Sequence, residues 1–205
     1  MRRVAILGGS FNPVHLGHLL LAQSVLETGR FDQIVFLPSN RTPHKDPVAL
    51  APAADRLAMV RLAIGDNPAF SLSEQEIIRG GVSYAVDTLN EWHQLHPGAP
   101  PPGFIIGMDS LLELYTWRDV ADLLPLCTFV TLRRPGFDAV PDAAALRLPA
   151  PWPERLLAGI VPGRQFDVSS SEIRRRVAEN REIRYLVPDS VARYIAKHGL
   201  YRRGA

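Results

Sequence analysis

The 205-residue chain is 46% hydrophobic and 21% charged, enough apolar material for a substantial core and too little charge for a disordered chain. Lys plus Arg exceed Asp plus Glu by only 23 to 21, which excludes a general polyanion-wrapping role and leaves any basic site local. The single cysteine, Cys127, cannot form an intrachain disulfide, and no uninterrupted apolar stretch approaches a membrane span.

The apolar run behind Met1-Arg2-Arg3 stops at Gly8, far short of a signal-peptide core, so a cytoplasmic protein is expected. Val4 to Leu7 predicts a strand, followed by Gly8-Gly9-Ser10-Phe11-Asn12-Pro13. Apolar positions from Leu16 to Thr28, with Gly29 just beyond, predict a helix, and the β-branched run Gln33 to Leu37 predicts a second strand. The pattern continues with a helix over Ala54 to Ile64, a brief strand over Phe70 to Leu72 and a helix over Tyr84 to Leu95. A proline-rich loop from His96 to Pro102 then leads to strands over Gly103 to Ile106 and Cys127 to Leu132. Cys127 reads as a buried core thiol. Arg134 to Glu154 reads as an irregular excursion, Gly159 to Val161 as a last short strand. Two helices follow, one after Ser169-Ser170-Ser171 and one over Ser190 to His198, stopped by Gly199.

Alternating strands and helices predict an α/β fold: a Rossmann-like, doubly wound parallel sheet with a small helical C-terminal extension, about 169–205, in one domain over 1–205. In such sheets the ligand crevice lies outside the carboxyl ends of the strands. Gly8-Gly9-Ser10, Pro38-Ser39-Asn40 and Gly107-Met108-Asp109 all fall at such ends.

The chemistry concentrates in three places. His15 and His18 share one face at a helix start, with Gly17 between them, where free N–H groups and the helix dipole favour an anion. Two imidazole donors there suit a phosphate that gains charge during reaction; the alternative is a pair of helix-cap histidines. A zinc site has little support, because the spacing is three and no third ligand or base glutamate accompanies it. Lys45, in Pro43-His44-Lys45, is a mobile charge able to reach phosphates, or a solvated lysine; Arg41 and His44 share that ambiguity. Ser169-Ser170-Ser171-Glu172-Ile173-Arg174 is either a plain helix entry or a second phosphate cradle. Trp117, on a loop near the crevice, could stack on an aromatic ligand.

Taken in order, Gly8 to His18, Pro43-His44-Lys45, Ser83-Tyr84-Ala85-Val86-Asp87-Thr88, Gly107-Met108-Asp109, Trp117, Arg134-Pro135-Gly136, Ser169 to Arg174 and Pro188-x-x-Val191-x-x-Tyr194-Ile195 resemble the bacterial nicotinate-nucleotide adenylyltransferases of the HxGH nucleotidyltransferase superfamily. The resemblance spans nearly the whole chain. It implies transfer of AMP from ATP to nicotinate mononucleotide, giving deamido-NAD and pyrophosphate, with Mg²⁺ carried on the triphosphate and no metal site of the protein's own. It further implies that His15 and His18 stabilise the transition state, that Lys45, Ser170, Ser171 and Arg174 hold the triphosphate, and that the backbone of Gly8, Gly9, Ser10 and Phe11 runs along the nucleotides. Gly107 and Asp109 would border the adenosine ribose. Trp117 would stack on the nicotinate ring, with Asn40 and the Tyr84–Ala85 backbone beside it. No nucleic acid or membrane partner is implied, and oligomeric state is open. The related readings are an adenylyltransferase for nicotinamide mononucleotide or phosphopantetheine, and a non-catalytic nucleotide sensor.

Three positions depart from the family's usual pattern. Ser10-Phe11-Asn12-Pro13 stands where Thr-Phe-Asp-Pro is common, so Asn12 lacks a charge; Ala85 replaces a Thr; Ser171 replaces a Thr but keeps the hydroxyl.

Overall fold

The computed structural model describes residues 2–43, 50–133, 140–162 and 167–202. Its centre is a six-stranded sheet of β1 (Val4–Gly9), β2 (Gln33–Pro38), β3 (Phe70–Leu72), β4 (Gly103–Gly107), β5 (Thr128–Leu132) and β6 (Ile160–Val161). The strand order is β3-β2-β1-β4-β5-β6, and every pair is parallel. This is the doubly wound arrangement, with the order reversing between β1 and β4. Register aligns the strand ends: Gly9 lies opposite Pro38, Leu7 opposite Ile105 and Gly107 opposite Leu132. The three sequence segments expected at a crevice therefore emerge from one edge.

Side-chain alternation divides the sheet's two faces, because successive residues of a strand point to opposite sides. Ala5, Leu7, Ile34, Phe36, Ile105 and Val130 belong to one core, shared with α1 (Leu16–Glu27), α2 (Ala53–Ile64), α8 (Ser170–Ala178) and α9 (Asp189–His198). Ile6, Val35, Leu37, Phe104, Ile106 and Phe129 belong to the other, shared with α4 (Ala85–Leu95), α5 (Met108–Leu112), α6 (Val120–Leu123) and α7 (Trp152–Ala158). Because Ile173, Val191 and Ile195 are buried among the β1 and β2 residues, the C-terminal helices extend the first core.

Most predicted elements lie within two residues of the observed ones, strand β1 being longer by Gly8 and Gly9. Four short pieces have no counterpart in the sequence reading. These are α3 (Gln75–Arg79), α5, α6 and α7, and the last two lie where apolar residues are interrupted by proline or charge. The stretch from Arg134 to Glu154 is not irregular throughout: Ala143–Leu146 forms a 3-10 turn, and α7 begins at Trp152 with Pro153 in its first turn, where a missing N–H costs nothing. Gly107 likewise opens α5 as its N-cap instead of starting a loop. Cys127 is buried, and that burial pushes its thiol pKa far up, so it is packing material and no nucleophile.

Candidate active site

His15 is the residue before α1, in extended backbone (φ −145°, ψ 171°), and His18 is the third residue of the helix. A spacing of three is that of a capping box, and the His15 N–H donates to His18 Nδ1 at 3.2 Å. A ring nitrogen that accepts carries no proton, so in this arrangement the ring proton of His18 is on Nε2. The two rings overlap, with centroids 3.7 Å apart and planes inclined by 33°. The spacing of three thus serves a helix cap, with both imidazoles gathered at the start of α1.

Gly17 permits that overlap. A Cβ there would come within 3.0 Å of both Cε1 and Nδ1 of His15. Phe11 takes left-handed backbone (φ 44°) and sends its ring into the core, 1% exposed, with an edge against His18 at 5.0 Å. Only its backbone is available to a nucleotide, as is true of Gly8 and Gly9 by composition.

The loop ahead of the histidines is held from the C-terminal helices. The Asn12 carbonyl accepts from Arg174 Nη1 at 2.8 Å, the Pro13 carbonyl from Ser170 Oγ at 2.8 Å, and Leu16 N–H donates to the Leu186 carbonyl at 3.0 Å. Asn12 Oδ1 accepts twice, from Ala51 N–H at 3.0 Å and from the Tyr201 hydroxyl at 2.9 Å. Burial pushes the Tyr201 pKa well above its ordinary value, with Arg174 and Arg56 pulling the other way, so the phenol stays a neutral donor.

This geometry sorts the serines. Ser169 is the N-cap of α8, its Oγ accepting from Glu172 N–H at 3.1 Å, which is the plain helix-entry reading. Ser170 spends its one hydroxyl proton on Pro13. Ser171 accepts from Arg174 Nη2 at 3.2 Å, so its own proton is not used in that bond.

Across the sheet edge, Asn40 is fastened by its neighbours. Its N–H donates to Ser83 Oγ at 3.0 Å and its Nδ2 to the Gly81 carbonyl at 2.8 Å. Ser83 in turn hydrogen-bonds Glu76, a carboxyl whose pKa burial raises against the pull of Thr88, Ser83 and Arg79. Tyr84 is the N-cap of α4, so Ala85 heads an eleven-residue helix. The Arg118 guanidinium sits 4.5 Å over the Tyr84 ring. Half-buried Trp117 stands edge-on to Phe104 at 6.3 Å, and a Cβ on Gly8 would lie 3.9 Å from that same Phe104 ring. Phe104 therefore neighbours both the carboxyl end of β1 and the tryptophan. Asp109, exposed, lies in the first turn of α5.

Lys45, His44 and Arg134-Pro135-Gly136 lie outside the described residues. Among those described, no group of three or more His, Cys, Asp or Glu is placed to hold a metal ion, and no helix is long and apolar enough to cross a membrane.

Sequence reasoning assigned no role to Arg56, Ser83 or Tyr201. Arg56 carried a signal: with Met59 and Val60 it falls three and four residues apart on one helix face, and all three are buried.

A family model described as cytidylyltransferase-like matches residues 6–176. A probable nicotinate-nucleotide adenylyltransferase of Symbiobacterium thermophilum is 47% identical over 208 residues, covering 100% of this chain and 97% of its own length. Another, of Desulfitobacterium hafniense, is 41% identical, covering 98% and 96%. Among solved structures, Plasmodium falciparum nicotinic acid mononucleotide adenylyltransferase complexed with NaAD aligns with a TM-score of 0.76 at 18% identity, over 98% of each chain. A putative nicotinate-nucleotide adenylyltransferase from Vibrio parahaemolyticus aligns at 0.69 and 19%, over 99% of this chain and 97% of that one. The fold thus has structural counterparts over its full length, and the sequence matches set the family: the chain belongs to the cytidylyltransferase-like family and, within it, to the nicotinate-nucleotide adenylyltransferases.

Proposed function

We propose that this protein transfers the adenylyl group of MgATP to nicotinate mononucleotide, in the cytoplasm, forming deamido-NAD and releasing pyrophosphate. A phosphate oxygen of the mononucleotide bonds to the α-phosphorus of ATP as the bond from that phosphorus to the α,β-bridging oxygen breaks. The electron pair leaves with pyrophosphate. No covalent enzyme intermediate is required, so the protein's work is alignment and charge stabilisation.

The observation that carries this reading is the His15–His18 cap, which uses His18 Nδ1 as acceptor and so places the ring proton on Nε2 at the start of α1. Negative charge that builds on the phosphates in the transition state meets that donor and the helix N-terminus. Ser171 and Arg174, with Lys45, hold the triphosphate; Ser170 holds Pro13 and acts through the loop. Gly8 to Phe11 pass beside the nucleotides, Gly107 and Asp109 border the ribose, and Trp117 stacks on the pyridine ring beside Asn40. The backbone N–H groups at the Tyr84–Ala85 start of α4 favour a ring carboxylate over an amide, while Arg118, over the Tyr84 ring, is engaged by Asp87 at 3.7 Å and Asp119 at 3.3 Å. Mg²⁺ arrives on the triphosphate, where it withdraws charge from the phosphates.

The test is pyrophosphate release by purified protein with MgATP and each mononucleotide. Turnover should be fastest with nicotinate mononucleotide. Faster turnover with nicotinamide mononucleotide or phosphopantetheine would replace the acceptor, and no turnover with any would end the reading.

A further inference from the structure

Arg56 stands on α2 and is 2% exposed. Four of its five N–H donors go to backbone carbonyls: Nε donates to Ala51 at 3.1 Å, Nη1 to Ser10 at 2.9 Å and to Ser39 at 2.6 Å, and Nη2 to Asn40 at 3.4 Å. None of these acceptors is charged, and no Asp or Glu of the described residues forms an ion pair with it. Burial works against its charge and lowers its pKa, yet a guanidinium remains protonated. Packing alone would be served by a methionine or leucine at lower cost.

What the charge and the fork accomplish is visible in the identity of the acceptors. Ser10 follows β1 in the loop that leads to His15. Ser39 and Asn40 follow β2, and Asn40 faces the mononucleotide in the proposed reaction. Ala51 lies just ahead of α2, and its N–H is the group bonded to Asn12. One planar fork therefore spans the ATP-side loop and the acceptor-side loop, and no other side chain among the described residues is recorded bonding to both Ser10 and Asn40. A flexible ammonium could reach one carbonyl, but it cannot hold several in fixed directions.

We propose that Arg56 is a positioning residue which fixes the two substrate-bearing loops relative to each other, and so sets the in-line approach of the mononucleotide phosphate to ATP. It touches neither substrate and acts through the backbone of Ser10 and Asn40. The proposal rests on the adenylyl-transfer reading.

The test uses Arg56→Lys and Arg56→Gln, with three measurements: separate Kd values for ATP and nicotinate mononucleotide, kcat, and amide hydrogen exchange. Each substrate alone needs only its own loop, whereas transfer needs both in register. Arg56→Lys is expected to keep each Kd within about threefold while kcat falls about a hundredfold, the scale on which small misplacements act. Exchange in segments 10–12 and 39–41 should accelerate together. Unchanged kcat, or losses in both Kd values that match the loss in kcat, would overturn the proposal. So would native protection in both loops, a result that stands whatever the substrate proves to be. If neither variant folds, Arg56 serves the fold as a whole and the assignment is likewise overturned. Failure of the adenylyl-transfer reading shows separately, as absent turnover in the unaltered protein.

Discussion

The Tyr201 hydroxyl donates to Asn12 Oδ1 at 2.9 Å across 189 positions of the chain, joining the C-terminal segment to the loop that carries His15. Tyr201→Phe keeps the ring and deletes only the donor, while Asn12 Oδ1 retains Ala51 N–H. The expected loss is about 0.5–1.5 kcal/mol by urea unfolding at pH 7.5, the usual net worth of one hydrogen bond. The pH dependence follows from the raised folded pKa. The unfolded phenol loses its proton first, so the contribution is complete below about pH 10 and disappears as pH rises towards the higher folded value. Stability of the unaltered protein should therefore fall more steeply between pH 9 and 11 than that of Tyr201→Phe. Parallel curves would contradict the burial of this hydroxyl.

Gly17→Ala separates stability from activity. Alanine is favoured over glycine within a helix by about 0.5–1 kcal/mol, so Tm should hold or rise. The added Cβ, placed 3.0 Å from the His15 ring, must displace that imidazole. We expect kcat to fall at least about tenfold, a misplacement cost of the kind alignment-dependent catalysis shows. A variant that is more stable and equally active would show that the His15–His18 overlap is dispensable.

His18→Ala removes the imidazole and with it the acceptor of the His15 N–H. Because the donor's bond strengthens as charge builds, kcat should fall by about a hundredfold or more while the Kd for ATP changes little. An equal loss of ATP affinity with unchanged kcat would make His18 a ground-state contact.

Trp117→Ala addresses the opposite half of the crevice. The indole is half-buried and edge-on to Phe104, and the proposal stacks the pyridine ring on it. KM for the mononucleotide should rise about tenfold, in line with an aromatic stacking contact of about 1–1.5 kcal/mol, while KM for ATP stays level. If neither KM moves, the ring does not lie on Trp117.

The fold was legible because its signals are local and repeated. Helices α1, α2, α4 and α9 each carry apolar positions and are followed within two residues by a glycine or proline, and each main strand is a short apolar run. What escaped were pieces of four to seven residues, such as α3 and α6, whose few apolar positions fit no period. At the site, the His15–His18 spacing could be read as a cap or as a phosphate donor; the geometry shows the cap, and the phosphate role belongs to the proposal. Ser170 could not be separated from Ser171 in the sequence, since only the position of Pro13 shows which hydroxyl is already spent. Arg56 and Tyr201 escaped for a related reason. Their partners are backbone carbonyls and an amide oxygen brought close by folding, and such acceptors leave no mark on residue type.

Asn12 is the departure from the family pattern that the structure explains. Its Oδ1 accepts two donors, and a carboxylate oxygen accepts the same two. Asn12→Asp should therefore fold. Its new charge would lie near Arg174, which already bonds the Asn12 carbonyl, and near Arg56, whose field reaches Tyr201. At a site only 2% exposed, burial of the charge opposes the attraction of those cations, so no gain in stability at pH 7.5 is expected by urea unfolding. If Arg174 holds the triphosphate as proposed, the same charge offsets part of that attraction. KM for ATP should rise about three- to tenfold at low salt and less at high salt, as a partly screened charge requires. An unchanged KM across ionic strength would mean that Asn12 matters only as an acceptor, and that its neutrality has no bearing on how strongly the loop draws phosphate.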